Sequence, residues 1–331
     1  MDIDIVITWV DGSDKEWIKE KNKYLLENEK VEIDATETRY RDWGNLKYLF
    51  RGIEKFAPWV RKVFFVTCGQ KPDWLNTKNE KLVCVDHKDY IPRHFLPTFS
   101  SHPIELNMHR IKGLSEHFIY FNDDMMIINP LKIDDFFSKE GLPKYLAIER
   151  ASACIDMFAD ILTNNIVAIN SKYNKSNVKK RNKMAWYFSG LVPFVLNNFY
   201  DRTAKDGFVG FQIQHLPSPF LKSEIEKCWE EFPDVLSKTS SHKFRSIEDV
   251  NQYLFIEHLL CNGKFKSKKF RRGGTFLSFK ECGLLCNAIK KQRYKLICLF
   301  DDVTQENFEE TRDKINSAFE EILPNKSSFE I

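Results

Sequence analysis

No run in this chain reaches the roughly 20 consecutive apolar residues that cross a bilayer as a helix. The opening MDIDIVITWV has no basic segment and too little apolar length for a secretory leader, so none is expected. The eight cysteines form no CxxC pair. Cys282 and Cys286 stand one helical turn apart, but without a second pair or a histidine cluster they do not make a zinc site. Most of the others lie in apolar runs such as KLVCV and KLICLF, where a thiol behaves as a small hydrophobe; a reducing compartment is expected. Net charge is only +3 over 331 residues, which argues against a nucleic-acid partner. Neither an internal repeat nor a linker long enough to separate independent domains is found. A soluble intracellular globular protein, at most peripheral to a membrane, is expected.

What is present is an α/β pattern, with short β-rich runs alternating with helix-length segments. Strands are expected at 3–10, 62–68 and 81–86, and a helix at 44–56, where Leu46, Leu49, Phe50 and Ile53 recur at helical spacing. Ser13 or Asp14 can cap the helix after the first strand. Pro103 opens an expected helix through residue 115, and the strand FIYFNDD follows. After about residue 150 the chain becomes rich in Asn, Lys and aromatics, with helices expected at 183–198, 220–232 and 246–261. TFLSF, YKLICLF and a helix near 305–322 then restore the α/β pattern. The expectation is one domain over 1–331. Its α/β core is a Rossmann-like, nucleotide-sugar-transferase-like central sheet, spanning 1–150 and 270–325. A mainly helical insertion, 151–269, contributes part of the site.

FIYFNDDMMI, residues 118–127, raises a physical question. Adjacent carboxylates at the end of a buried strand repel each other and lose hydration unless a positive charge lies between them. Either Asp124 caps the following turn while Asp123 faces water, or the pair holds a hard divalent cation such as Mg²⁺ or Mn²⁺ on a phosphate. Glu105, His109 and Lys112 would share one face of the expected helix. Arg39, Arg41 and Arg51 flank Asp42, either as phosphate-binding groups or as surface charge. His215 stands before a Pro-rich turn. Arg245 precedes an expected helix capped by Ser246 with Asp249 three residues on. Basic clusters at 171–183 and 264–272 are either solvated loops or contacts for an anionic surface.

Together these stretches resemble the Stealth family of bacterial capsular and exopolysaccharide phosphotransferases, to which the animal N-acetylglucosamine-1-phosphotransferase is related. The resemblance runs through IDIVITWVDGSDKEW (3–17), RYRDWGNLKYLFRGIEKFAPWVRKVFFVTCGQKPDWL (39–75), VDHKD (85–89) and LPTFSSHPIELNMHRIKGLSEHFIYFNDDMM (96–126). It continues through HLPSPFLKSEIEKCWEEFPDVLSKTSSHKFRS (215–246), KLICLFDD (295–302) and the terminal NKSSFEI. It implies transfer of a sugar 1-phosphate from a nucleotide sugar to a glycan hydroxyl, forming a phosphodiester and releasing a nucleoside monophosphate. The donor would be UDP-GlcNAc, UDP-GalNAc or another hexose. The acceptor would be a capsular, exopolysaccharide or cell-wall glycan, free or lipid-linked.

The family's catalytic positions fall on Glu105, Asp124, His215 and Arg245. Asp123 and Asp124 would hold Mg²⁺ or Mn²⁺, and Trp9, Asp11, Gly12, Arg39, Arg41, Asp42, His109 and Arg110 are candidate donor or substrate contacts. Trp43, Asn45 and Phe300 depart from residues usual in relatives. A metal-dependent glycosyltransferase releasing UDP is the alternative, followed by a non-catalytic glycan-binding or assembly module. The bacterial branch implies a cytoplasmic enzyme, peripheral at most on the inner face of the inner membrane.

Overall fold

The computed structural model describes residues 1–27, 33–34, 41–153, 157–268 and 274–331. Eight described strands have three residues or more. They are β1 (Ile3–Thr8), β2 (Val63–Thr67), β3 (Leu82–Asp86), β4 (His117–Asn122), β5 (Met125–Ile127), β6 (Ser218–Leu221), β7 (Gly274–Ser278) and β8 (Leu296–Phe300). The helices of the first half are α1 (Lys15–Glu27), α2 (Leu46–Phe56) and α3 (Ser101–Leu106). Then come α4 (Met157–Lys172), α5 (Lys175–Arg181), α6 (Lys183–Tyr187), α7 (Leu191–Thr203), α8 (Lys222–Glu231), α9 (Pro233–Ser241) and α10 (Tyr253–Asn262). Helices α11 (Cys282–Lys290) and α12 (Phe308–Ile322) close the chain.

The main sheet runs β3-β2-β1-β4-β6, with β6 antiparallel to an otherwise parallel set. This is a Rossmann-like order: the chain leaves β1 toward β2 and β3, then returns to the other side of β1 as β4. Ligands bind at such a reversal, beyond the C-terminal strand ends. The register places Thr8 beside Asn122, so the segments after β1 and β4 part from one spot. The chain crosses through Asp123 and Asp124 to β5, which pairs with β8 in a second, three-stranded sheet.

Strand alternation sends Ile3, Ile5 and Ile7 to one face and Val6 to the other, and both faces are covered. On the first face α2 buries Leu49, Phe50 and Ile53, a gross gain on the order of 5–9 kcal/mol before chain entropy. Gly52 permits that approach, because a Cβ there would lie 2.7 Å from the Ile127 carbonyl oxygen. Arg51 is neither a phosphate ligand nor surface charge. It is buried, bonded at 2.9 Å through both Nε and a terminal nitrogen to Glu330, and at 3.0 Å to Glu320. That pairing anchors the C-terminal segment, whose Phe329 enters the core.

Two local expectations are corrected. The helix from Pro103 stops at Leu106 and yields to a 3₁₀ turn, Met108–Arg110. The Asn107 amide bonds the Pro103 carbonyl and the Ser240 hydroxyl at that break. The shared face of Glu105, His109 and Lys112 therefore never forms. The helix expected from 246 begins at Tyr253, although the Asp249 carboxylate does accept the Ser246 amide beside its bonds to His102 and His242. The stretch 151–269 is mainly helical as expected, and its strand β6 joins the central sheet.

Candidate active site

A cleft of about 710 Å³ opens at the C-terminal ends of β1 and β4. Glu105 reaches it from α3, Asp123 and Asp124 from the turn between the two sheets, and His215 from the segment before β6. Arg245 comes from the segment before α10. Trp9, Arg41 and Asp42 line the same cleft. Residues separated by up to 236 positions, Trp9 and Arg245, thus meet at the reversal point of the sheet.

The polar contacts fix this arrangement. His215 Nε2 stands 3.6 Å from Asp124 Oδ2, and its Nδ1 is 2.9 Å from the Tyr253 hydroxyl. Burial lowers the imidazole's proton affinity, but the bond and charge of Asp124, with Glu105 behind, outweigh it and leave the pKa above its ordinary value. Glu105 is buried and accepts a 3.0 Å bond from the Tyr120 hydroxyl, which also lies 3.0 Å from the Thr8 hydroxyl. An Arg245 terminal nitrogen donates to the Ser101 hydroxyl at 2.9 Å. Behind it, buried Asp249 receives His102 at 2.8 Å, His242 at 2.6 Å and the Ser246 amide at 3.1 Å, tying the Arg245 segment to α3.

The carboxylate pair has the character of a cation site. Displacement of water by the cleft walls, then the Asp124 charge, push Asp123 up to about 7, although its side chain still faces open water. Asp124 Oδ1 and the neighbouring Asn122 Oδ1 are buried without a hydrogen-bond partner. Orphaned oxygens beside a charged carboxylate pair suit a hard, oxygen-preferring cation. Asp124, His215 and Cys298 can also bring one donor atom each within 4.8 Å of one another. Burial and Asp124 drive the Cys298 thiol far upward, so it stays protonated and is a poor ligand for Mg²⁺ or Mn²⁺.

Other expected contacts lie elsewhere. The Asp11 carboxylate accepts from the Ser13 amide and hydroxyl, serving its own turn; neither it nor Gly12 lines the cleft. With α3 ended at Leu106, His109 is buried against Trp229 and Arg110 stacks over that same ring. Burial, then Arg110 and Lys222, push His109 down to about 3, so it is a neutral core residue. Arg41 stays on the cleft wall, where it is engaged by Asp301 at 3.5 Å and the Val303 carbonyl at 3.2 Å. Arg39 lies outside the described residues. Sequence reasoning missed Tyr253, Tyr120, Gln252, His102 and Phe158, which all line the cleft. Only His102, three positions before Glu105, carried a signal that spacing could have raised.

Comparison with known proteins then gives three matched segments. Residues 1–29 match Stealth protein CR1, conserved region 1; residues 39–145 match CR2; residues 214–259 match CR3. The receptor polysaccharide phosphotransferase WefC of Streptococcus oralis is 37% identical over 337 residues, 99% of each chain. The capsular polysaccharide phosphotransferase WcwK of Streptococcus pneumoniae is 36% identical, also over 99% of each chain. The exopolysaccharide phosphotransferase cps2G of Lactiplantibacillus plantarum is 36% identical, over 99% of this chain and 96% of its own. Among solved structures, the galactosyltransferase LgtC with donor and acceptor sugar analogs aligns over 95% of both chains at TM-score 0.39 and 9% identity, a likeness too slight to bear on function.

Proposed function

The chain belongs to the Stealth family and is a phosphotransferase; from that premise we propose that it moves a hexose 1-phosphate from a UDP-sugar to a glycan hydroxyl, releasing UMP. The product is a phosphodiester within a capsular, exopolysaccharide or cell-wall polysaccharide. The observation that carries this reading is the convergence of Glu105, Asp124, His215 and Arg245 on one cleft at the sheet's reversal point.

The acceptor oxygen attacks the sugar-linked phosphorus, the bond from that phosphorus to the bridging oxygen breaks, and UMP leaves with the electron pair. His215 takes the acceptor proton at Nε2 while its Nδ1–H rests on the Tyr253 hydroxyl. Arg245 offsets charge on the phosphate oxygens and on the leaving monophosphate. Glu105 holds Tyr120 and adds negative potential behind His215. Asp123 and Asp124 would hold Mg²⁺ or Mn²⁺, which when bound neutralises diphosphate charge. Trp9 and Asp42 line the donor side. Residues 1–331 act as one catalytic unit, built on the cores 1–150 and 270–325. The enzyme works at the cytoplasmic face of the inner membrane, on a free or lipid-linked acceptor.

Nucleotide product analysis tests the reading. Purified protein is incubated with Mg²⁺ or Mn²⁺, UDP- and GDP-sugars and a glycan acceptor. Acceptor-dependent UMP, lost in Asp124→Ala, is expected. Acceptor-dependent UDP would make this a glycosyltransferase.

A further inference from the structure

Helix α7 wears its apolar side outward. Leu191, Val195 and Phe199, spaced i, i+4, i+8, are 77%, 52% and 54% exposed. Phe194 and Val192 flank that stripe, and Met184 and Phe188 extend it from the end of α6, against which α7 packs. Of sixteen exposed large hydrophobics among the described residues, seven fall within 184–199. That concentration is what needs a cause, since single exposed apolar side chains are ordinary. The opposite side of α7 is fully used: Asn197 is buried, donating to the Ala147 and Trp186 carbonyls and accepting the Glu149 amide. The outward face is therefore not a misassigned core face.

The exposed charges from 172 to 205 are all basic, with the exposed Asp206 next in the chain. Lys175 and Lys179 of the 171–183 cluster turn inward and are buried, bonding Glu149 at 2.8 and 2.7 Å. Lys172, Lys180, Arg181, Lys183, Arg202 and Lys205 remain exposed, and none makes an ion pair with a described residue. Asp201 is the one acidic residue between 172 and 205, and it is half-buried, bonded to Lys179 and Tyr187.

We infer that α6 and α7 form a membrane-docking face, laid in the plane of an anionic phospholipid surface with the Leu191–Val195–Phe199 stripe among the acyl chains and the basic rim at the headgroups. An apolar helix face bordered by Lys and Arg has the build of an interfacial helix. A second copy of the chain fits worse, because a two-fold contact would set this predominantly positive rim against itself. The inference rests on the functional reading above only for the leaflet it assigns, the cytoplasmic one.

The test is flotation of the full chain with unilamellar vesicles of phosphatidylglycerol and phosphatidylcholine, beside vesicles of phosphatidylcholine alone. Binding to the anionic vesicles is expected, weakening at high ionic strength. A Leu191→Ser, Val195→Ser, Phe199→Ser variant should bind roughly tenfold or more weakly, and Lys180→Glu with Lys183→Glu should lose a comparable factor on the anionic vesicles alone. Both should keep wild-type turnover of a soluble acceptor and an unchanged circular dichroism spectrum. Wild-type protein left unbound by the anionic vesicles, or binding indifferent to the triple variant, would overturn the inference. So would a solution dimer that the triple variant dissolves, which would make the face an interface between copies. Should the nucleotide product prove to be UDP, the phosphotransfer reading falls while vesicle binding stands.

Discussion

The Tyr253 hydroxyl lies 2.9 Å from Nδ1 of His215, at the start of a helix that sequence reasoning left out of the site altogether. When Nδ1 carries the proton and gives it to that oxygen, Nε2 keeps its lone pair on the side of Asp124. A base is useful only with the correct nitrogen bare; the hydroxyl, which can donate or accept, fixes the orientation of the ring.

Tyr253→Phe should lower kcat roughly fivefold to tenfold, the worth of one hydrogen bond, with donor KM unchanged. Because His215 sits above its ordinary pKa, the acid limb of the wild-type rate profile should fall above pH 6.5, and it should move in the variant. His215→Gln should cost about 10²–10⁴-fold. Steady-state kinetics across pH checks both. A Tyr253→Phe enzyme with unaltered rate and profile would mean that Tyr253 does not position His215.

Cation binding should depend on pH through Asp123. Its carboxyl, raised to about 7, holds a proton below that value which the cation must displace. The Kd for Mn²⁺ should fall roughly tenfold from about pH 6 to about pH 8, and Asp123→Asn should flatten that slope. Titration calorimetry reads this directly; an affinity independent of pH would mean that Asp123 stays out of the cation site.

Asp249→Asn should destabilise the fold by about 3 kcal/mol, because it breaks a buried carboxylate bonded to two histidines and a backbone amide. Burial raises the Asp249 pKa, but the bonds from His102 and His242 more than offset it, leaving the folded value below the ordinary one. A depressed folded pKa gives stability that is present above the unfolded value and lost as pH falls through the folded value. The wild-type protein should therefore keep this contribution at neutral pH and lose it only below the usual carboxylate range. Thermal melts of both proteins from neutral to acid pH would show the gap closing if that sign is right.

Gly52→Ala tests the seat of α2. A Cβ 2.7 Å from the Ile127 carbonyl oxygen forces the helix away from β5, at a cost of about 1–3 kcal/mol for overpacking. That outweighs the gain of replacing a helix glycine by alanine. A variant melting at or above the wild-type temperature would show that the helix shifts freely.

The sequence by itself determined the strands, since IDIVIT, VFFVT and HFIYFN bury side chains on both faces and read as continuous apolar runs. It also raised the question of the adjacent carboxylates ending a buried strand, with a turn cap and a cation site both open, while the four catalytic positions came from the family resemblance. Local signals failed where a distant partner decided the outcome. Asn107 ends α3 by bonding within its own turn and to Ser240, taking His109 out of the cleft. Arg51 looked like a phosphate ligand until the far end of the chain supplied Glu330. Nothing in the spacing of Tyr253 or Tyr120 could reveal them, because each enters the site through the packing of one element on another. Periodicity records which side of an element is buried. Which buried group faces which, and across what distance, is set by contacts between residues far apart in the chain, and only the tertiary structure contains those.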